Sequence, residues 1–168
     1  MTPARLARAY RREATAAARQ LPWLIALTDD QRTWFRSHGR RMAELLLRHL
    51  DADRVGSAAH SLKEAVAEAA SYGRMAAELG LSLSQALEGF LQFRRPFLHE
   101  LGSAAQRRGI DQQGTTELVE KADRALDRLL VAAMTAQGVG RLDVARGPEP
   151  SRTLSEGRAE AHPGGSGG

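Results

Sequence analysis

The side chains with the widest chemical range in this chain are five histidines: His38, His49, His60, His99 and His162. A zinc site on a helix needs two histidines one turn apart with a suitable acid on the same helix, and no pair here makes that pattern. His38 lies on or beside an apolar helical stripe. From there it could ligate haem iron or change charge with pH, or it could be a partly buried imidazole with a hydrogen-bond partner. The serines fall at caps and loops, and none sits in a nucleophile elbow or beside an evident base. Asp29 with Asp30, Asp51 with Asp53, and Asp123 with Asp127 read as helix-end or surface patterns rather than acid–base pairs. With no cysteine there is no thiolate site, no disulfide and no cysteine nucleophile. The C-terminal glycines follow no strand and precede no helix, so they form no phosphate loop. The expectation is a protein that is not an enzyme and has no metal or resident cofactor.

One constellation resists explanation by packing alone: Phe90-Leu91-Gln92-Phe93-Arg94-Arg95-Pro96-Phe97-Leu98. Pro96 inside a helix leaves the Gln92 carbonyl without its amide donor and should kink the axis. Arg94 points toward aromatic neighbours, and a buried guanidinium needs a partner. Glu64, Glu68 or Glu88 could supply a carboxylate and Tyr72 a hydroxyl, or an anionic ligand could complete the site. Arg94, Arg95, Pro96, Tyr72 and His38 are therefore the candidate ligand or switch residues.

Helices must position these residues. Aromatics make up only 5% of a chain rich in alanine and leucine, which favours helix over strand. A first helix is expected from near Pro3 through Gln20, broken at Leu21-Pro22-Trp23, with a short apolar link after it. Thr28-Asp29-Asp30-Gln31 has the form of a capping box, so a second helix should start there, burying Trp34, Phe35, Met42, Leu45, Leu46 and Leu50. A third is expected from Asp53 to Glu78. Its stripe of Val55, Ala59, Leu62, Val66, Ala69, Gly73 and Ala76 is small enough for a neighbour to come close, which marks it as the central helix. Gly80 should stop it. Ser82 or Ser84 should cap a fourth helix whose buried side is Leu83, Leu87, Phe90, Phe97 and Leu101. A fifth is expected from Thr115 to Gln137. After Gln137 the periodicity fails, and residues 138–168, ending in GGSGG, read as a disordered tail or linker, natural or added. The fold class is all-α, a single bundle of about five helices over residues 1–137, a length suited to one continuous core.

The net charge is +4 with a pI near 10.3. Such a balance could suit a polyanion, but only Lys63 and Lys121 are lysines, and an arginine-rich solvated face explains it as well. Nucleic acid is not the expected partner. There is neither a signal-peptide core nor an apolar run of membrane-spanning length, so a cytoplasmic location is expected.

The stretch AASYGRMAAELGLSLSQALEGFLQFRRPFLHEL and the later ADRALDRLLVAAM, together spanning residues 69–134, resemble the amino-terminal sensor domain of the RsbRD family of stress-response co-antagonists. The shared elements are the tyrosine-containing helix, the G-L-S-L restart, and F-x-x-F-R-x-x-x-L before a final amphipathic helix. The resemblance implies a globin-like helical fold, usually without haem, that often dimerises and passes a signal to an output module. No such module follows here, so the resemblance implies a stand-alone sensor or a piece cut near a linker. No family ligand residue maps onto this chain. The functional expectation is a non-catalytic regulatory module acting through protein contacts, with a homodimer or another helical protein as partner. A small-ligand or haem sensor and a DNA-binding regulator are the alternatives.

Overall fold

The computed structural model describes residues 21–51 and 55–146, and everything described folds as helices and short connections. The helix expected over residues 3–20 and the segment from residue 147 onward lie outside the described residues. Among those described are α1 (Pro22–Ala26), α2 (Asp29–Asp51), α3 (Val55–Glu78), α4 (Leu83–Arg107) and α5 (Gln112–Arg146), with no strand. The all-α expectation holds. No described helix is long and apolar enough to cross a membrane.

Local chemistry sets most of the boundaries. Pro22 occupies the first turn of α1, where its missing amide costs nothing, so the expected apolar link is one short helix. The capping box at α2 forms as the spacing predicts: the Gln31 amide donates to Thr28 Oγ1 at 3.2 Å, and the Thr28 amide to Gln31 Oε1 at 2.8 Å. Ser82 and Gln85 build a second box at α4. Gly80 and Gly109 close α3 and α4 with φ of +72° and +74°, a region that only glycine enters freely.

The fifth helix is longer than the expected span of Thr115 to Gln137, so residues 138–146 are helix rather than tail. It runs to Arg146, nine residues beyond Gln137. Gly138 and Gly140 do not break it: each costs about 1 kcal/mol of helix propensity, and Gly140 recovers packing because its Cα face lies against Ala77. Gln137 is itself buried, donating from Nε2 to the Leu81 carbonyl at 3.0 Å and so tying α5 to the α3–α4 connection.

Helices α3 and α5 form the central pair, running in parallel. Gly73 meets Ala133 and Gln137, and further along Ala77 meets Gly140. The approach is backbone to backbone, since a Cβ placed on Gly73 would stand 1.9 Å from the Ala133 carbonyl oxygen. Helix α2 packs on α3 and α4 on α5. The space among the four is filled by Met42, Leu45, Leu46, Phe90, Phe97, Leu126 and Leu129. A chain of ring contacts runs Phe35–Tyr72–Phe90–Phe93–Phe97 across three helices.

The buried face of α4 differs from the expected one. Leu83 and Leu87 are exposed, and the core side is Ala86, Phe90, Phe93, Phe97, Leu101 and Ala104. This is the cleaner helical spacing, every step being three or four residues.

Candidate functional site

Arg94 is held by two acids of α5. Its guanidinium spans two carboxylates one turn apart on α5: Nη2 stands 2.6 Å from Asp123 Oδ1, and Nη1 3.0 Å from Asp127 Oδ1. The arginine side chain is 21% exposed, the aspartates 42% and 59%, so the cluster sits at the edge of the α4–α5 seam rather than in the core. Asp123 and Asp127, read from sequence as a surface pattern, are thus the partners of Arg94. The acids expected there are engaged elsewhere. Glu64 lies 3.5 Å from His60 Nε2, Glu68 lies 3.4 Å from His38 Nε2, and Glu88 accepts from Trp23 Nε1 at 3.1 Å. Arg94 therefore needs no ligand to neutralise it.

The other candidates are spread over the bundle. Arg95 is exposed, while Pro96 is fully buried within an uninterrupted α4. Tyr72 is buried and donates to the Ala86 carbonyl at 2.7 Å, and burial pushes its hydroxyl far above the usual phenol range. Gly89 makes room for this contact, because a Cβ there would stand 2.4 Å from the Tyr72 hydroxyl and 3.1 Å from the Trp23 ring.

His38 belongs to the α2–α3 side. Its ring stacks on Trp34 with centroids 3.5 Å apart, Nδ1 lies 3.0 Å from the Trp34 carbonyl, and Nε2 faces Glu68. His38, Tyr72 and Arg94 thus face three different protein partners, and do not converge on one cavity. Among the described residues no cluster of three or more metal-binding side chains occurs.

The feature that sequence reading missed is a surface. Helix α5 buries Ala122, Leu126, Leu129, Ala133 and Gln137 on one face, yet leaves Val131, Val139, Leu142 and Val144 between 55% and 66% exposed. Beside them a shallow groove of about 380 Å³ runs between α3 and α5, lined by Ala70, Arg74, Ala132, Thr135, Ala136, Val139 and Gly140. Its signal in the sequence was a second apolar stripe on the last helix, and this passes unnoticed when that helix is ended at Gln137.

Comparison with known proteins adds no relative: no family model, no curated protein and no solved structure matches the chain. The class that fold and surface define is an all-α bundle with an apolar groove, open among the described residues, on its central helix pair.

Proposed function

We propose that this protein is a non-catalytic regulatory module that works by binding a helical protein, a second copy of itself included, through the outer face of α5. The observation that carries the reading is the pair of apolar faces on α5. A surface helix ordinarily turns one apolar stripe to the core and a polar one to water. Here Val131, Val139 and Leu142 stand more than half exposed on the side of α5 turned away from its buried face, and exposed apolar surface marks contact sites. The resemblance to RsbRD-type sensor domains supports the same role. In that role a change of state would pass along α4 and α5, which the Arg94 clamp joins.

The test is light scattering after size exclusion over a wide concentration range, together with recovery of partners from the native host. Both are run on the wild type and on a Val139→Asp/Leu142→Asp variant. Assembly or partner recovery that the variant loses is the expected result. A wild type that stays monomeric at high concentration and recovers nothing removes the proposal.

A further inference from the structure

The charges bordering the α3–α5 groove identify the chemistry of what fills it. On α3, Lys63, Ala67, Ala70 and Arg74 fall at i, i+4, i+7 and i+11, one helical face. On α5, Lys121, Arg128, Ala132 and Val139 fall at i, i+7, i+11 and i+18, again one face. Ala70, Arg74, Ala132 and Val139 line the groove, so these are the faces that flank it. Arg74 is the cation that lines the groove, and the parallel course of the helices sets Arg128 one turn before Ala132, with Lys63 and Lys121 further along the same two faces.

None of these four cations has a carboxylate within 4.0 Å among the described residues, a state they share with Arg36, Arg40, Arg41, Arg48, Arg95, Arg108 and Arg141, whereas Arg32, Arg94, Arg107 and Arg124 all have one. Arg74 makes a hydrogen bond at 2.8 Å to Ser71 Oγ, which leaves its charge unneutralised. An apolar floor of alanine, valine and glycine between two rows of unpaired positive charge is complementary to one kind of object. That object is a helix with a small apolar ridge and acidic flanks.

We infer that the α3–α5 groove is a docking site for an acidic amphipathic helix of a partner protein. The inference rests on the contact role proposed above and gives that contact its chemistry. Along α5 the groove lining runs from Ala132 to Gly140, about 12 Å at 1.5 Å per residue and enough for about two turns of a helix, and the same face continues toward Arg128 and Lys121.

Charge argues against the other occupants. A second copy docking the same groove about a two-fold axis would oppose four cations with four cations. The chain's own first twenty residues carry Arg5, Arg8, Arg11, Arg12 and Arg19 and are repelled in the same way. A nucleic acid would meet the cations with phosphates but set a polar backbone on an aliphatic floor with few hydrogen-bond donors.

The experiment uses three fluorescein-labelled probes: an amphipathic peptide of about 20 residues with a Leu/Ala ridge and Glu flanks, the same ridge with Lys flanks, and a short DNA duplex. Anisotropy is read at low and high salt with the full chain. The Glu-flanked peptide should bind and weaken at high salt. It should lose about tenfold or more in affinity on Arg74→Glu/Arg128→Glu, with the melting curve confirming that the variant is folded. The Lys-flanked peptide and the duplex should not bind.

Equal binding of the Lys-flanked peptide or the duplex, indifference to the double charge reversal, or no binding of the Glu-flanked peptide overturns the inference. If the protein ignores the acidic peptide yet assembles in a way that Val139→Asp/Leu142→Asp abolishes, the partner chemistry is wrong and the contact role stands. If that variant changes nothing in either assay, both fall.

Discussion

Gly73→Ala is the most exacting test of the central helix pair. A Cβ at residue 73 would lie 1.9 Å from the Ala133 carbonyl oxygen, 2.8 Å from its carbon and 3.0 Å from the Gln137 nitrogen. All three obstacles are main chain, so no side-chain rotation relieves them. Restoring even a tight contact means moving α3 from α5 by more than 1 Å, along a seam where Ala69, Ala76, Ala133 and Gln137 are all buried. Such overpacking costs about 1–3 kcal/mol, toward the upper end or beyond when backbone is the obstacle. Against this stands a gain of up to about 1 kcal/mol, because alanine is the better helix former. The net expectation is a loss of about 2 kcal/mol, or roughly 4–8 °C in Tm for a chain of this size. Gly138→Ala is the matched control. It lies on α5 with nothing within 4 Å of its added Cβ, so only the propensity gain remains and the variant should be stabilised by up to about 1 kcal/mol. Urea and thermal unfolding followed by circular dichroism read both. If Gly73→Ala unfolds at or above the wild-type midpoint, the close parallel approach of α3 and α5 is wrong.

Two further substitutions probe the ties around this pair. Arg94→Ala removes the clamp from α4 to α5 and leaves Asp123 and Asp127 facing each other one turn apart. At this partial exposure the loss should be about 1–2 kcal/mol and shrink at high salt, while Arg94→Lys should recover only part because one ammonium does not reproduce the two-carboxylate fork. Equal stability of the wild type and Arg94→Ala at low salt would dismiss the clamp. Tyr72 gives a pH signature. Its hydroxyl is held protonated in the folded state beyond the pH at which an unfolded tyrosine ionises, so its contribution is complete below about pH 10 and declines as pH rises above that. Tyr72→Phe should cost about 1 kcal/mol at neutral pH through the lost bond to the Ala86 carbonyl. It should also show a shallower decline in stability above pH 10, read from unfolding curves at stepped pH, and parallel declines in both proteins would refute the burial argument.

What could be read in advance divides by the range of the interaction. The Thr28–Gln31 box needs only a three-residue spacing, and it forms at the expected place. Gly80 stops α3 for reasons confined to its own backbone. The small stripe of α3 correctly marks the helix that a neighbour approaches closely, because absence of side-chain volume is itself visible in sequence. Other features depended on which helix lies opposite. Arg94 finds acids 29 and 33 residues away, while Glu64, Glu68 and Glu88 are taken by His60, His38 and Trp23. Leu83 and Leu87 fit an apolar pattern yet face outward, because Phe90, Phe93 and Phe97 claim the core and rotate α4 about its axis. Gly138 and Gly140 looked like an ending, and only the proximity of Ala77 explains why the helix continues past them.

These reassignments alter where function is to be sought. The arginine that stood out in sequence is neutralised by two aspartates, and its neighbourhood is accounted for as a joint between helices. Four of the cations without a carboxylate partner are inconspicuous in sequence, because Lys63, Arg74, Lys121 and Arg128 are single basic residues scattered over two helices. Only the parallel course of α3 and α5 gathers them into two rows beside one apolar groove. An unpaired surface charge costs little, so packing does not require these four to be neutralised or removed. An uncovered aliphatic stripe is different, since each such side chain left in water forgoes about 1.5–3 kcal/mol that burial would supply. Val131, Val139 and Leu142 together leave several kcal/mol unclaimed in the isolated chain. That unclaimed free energy is what a partner could use, and the cations beside it favour a partner with acidic flanks.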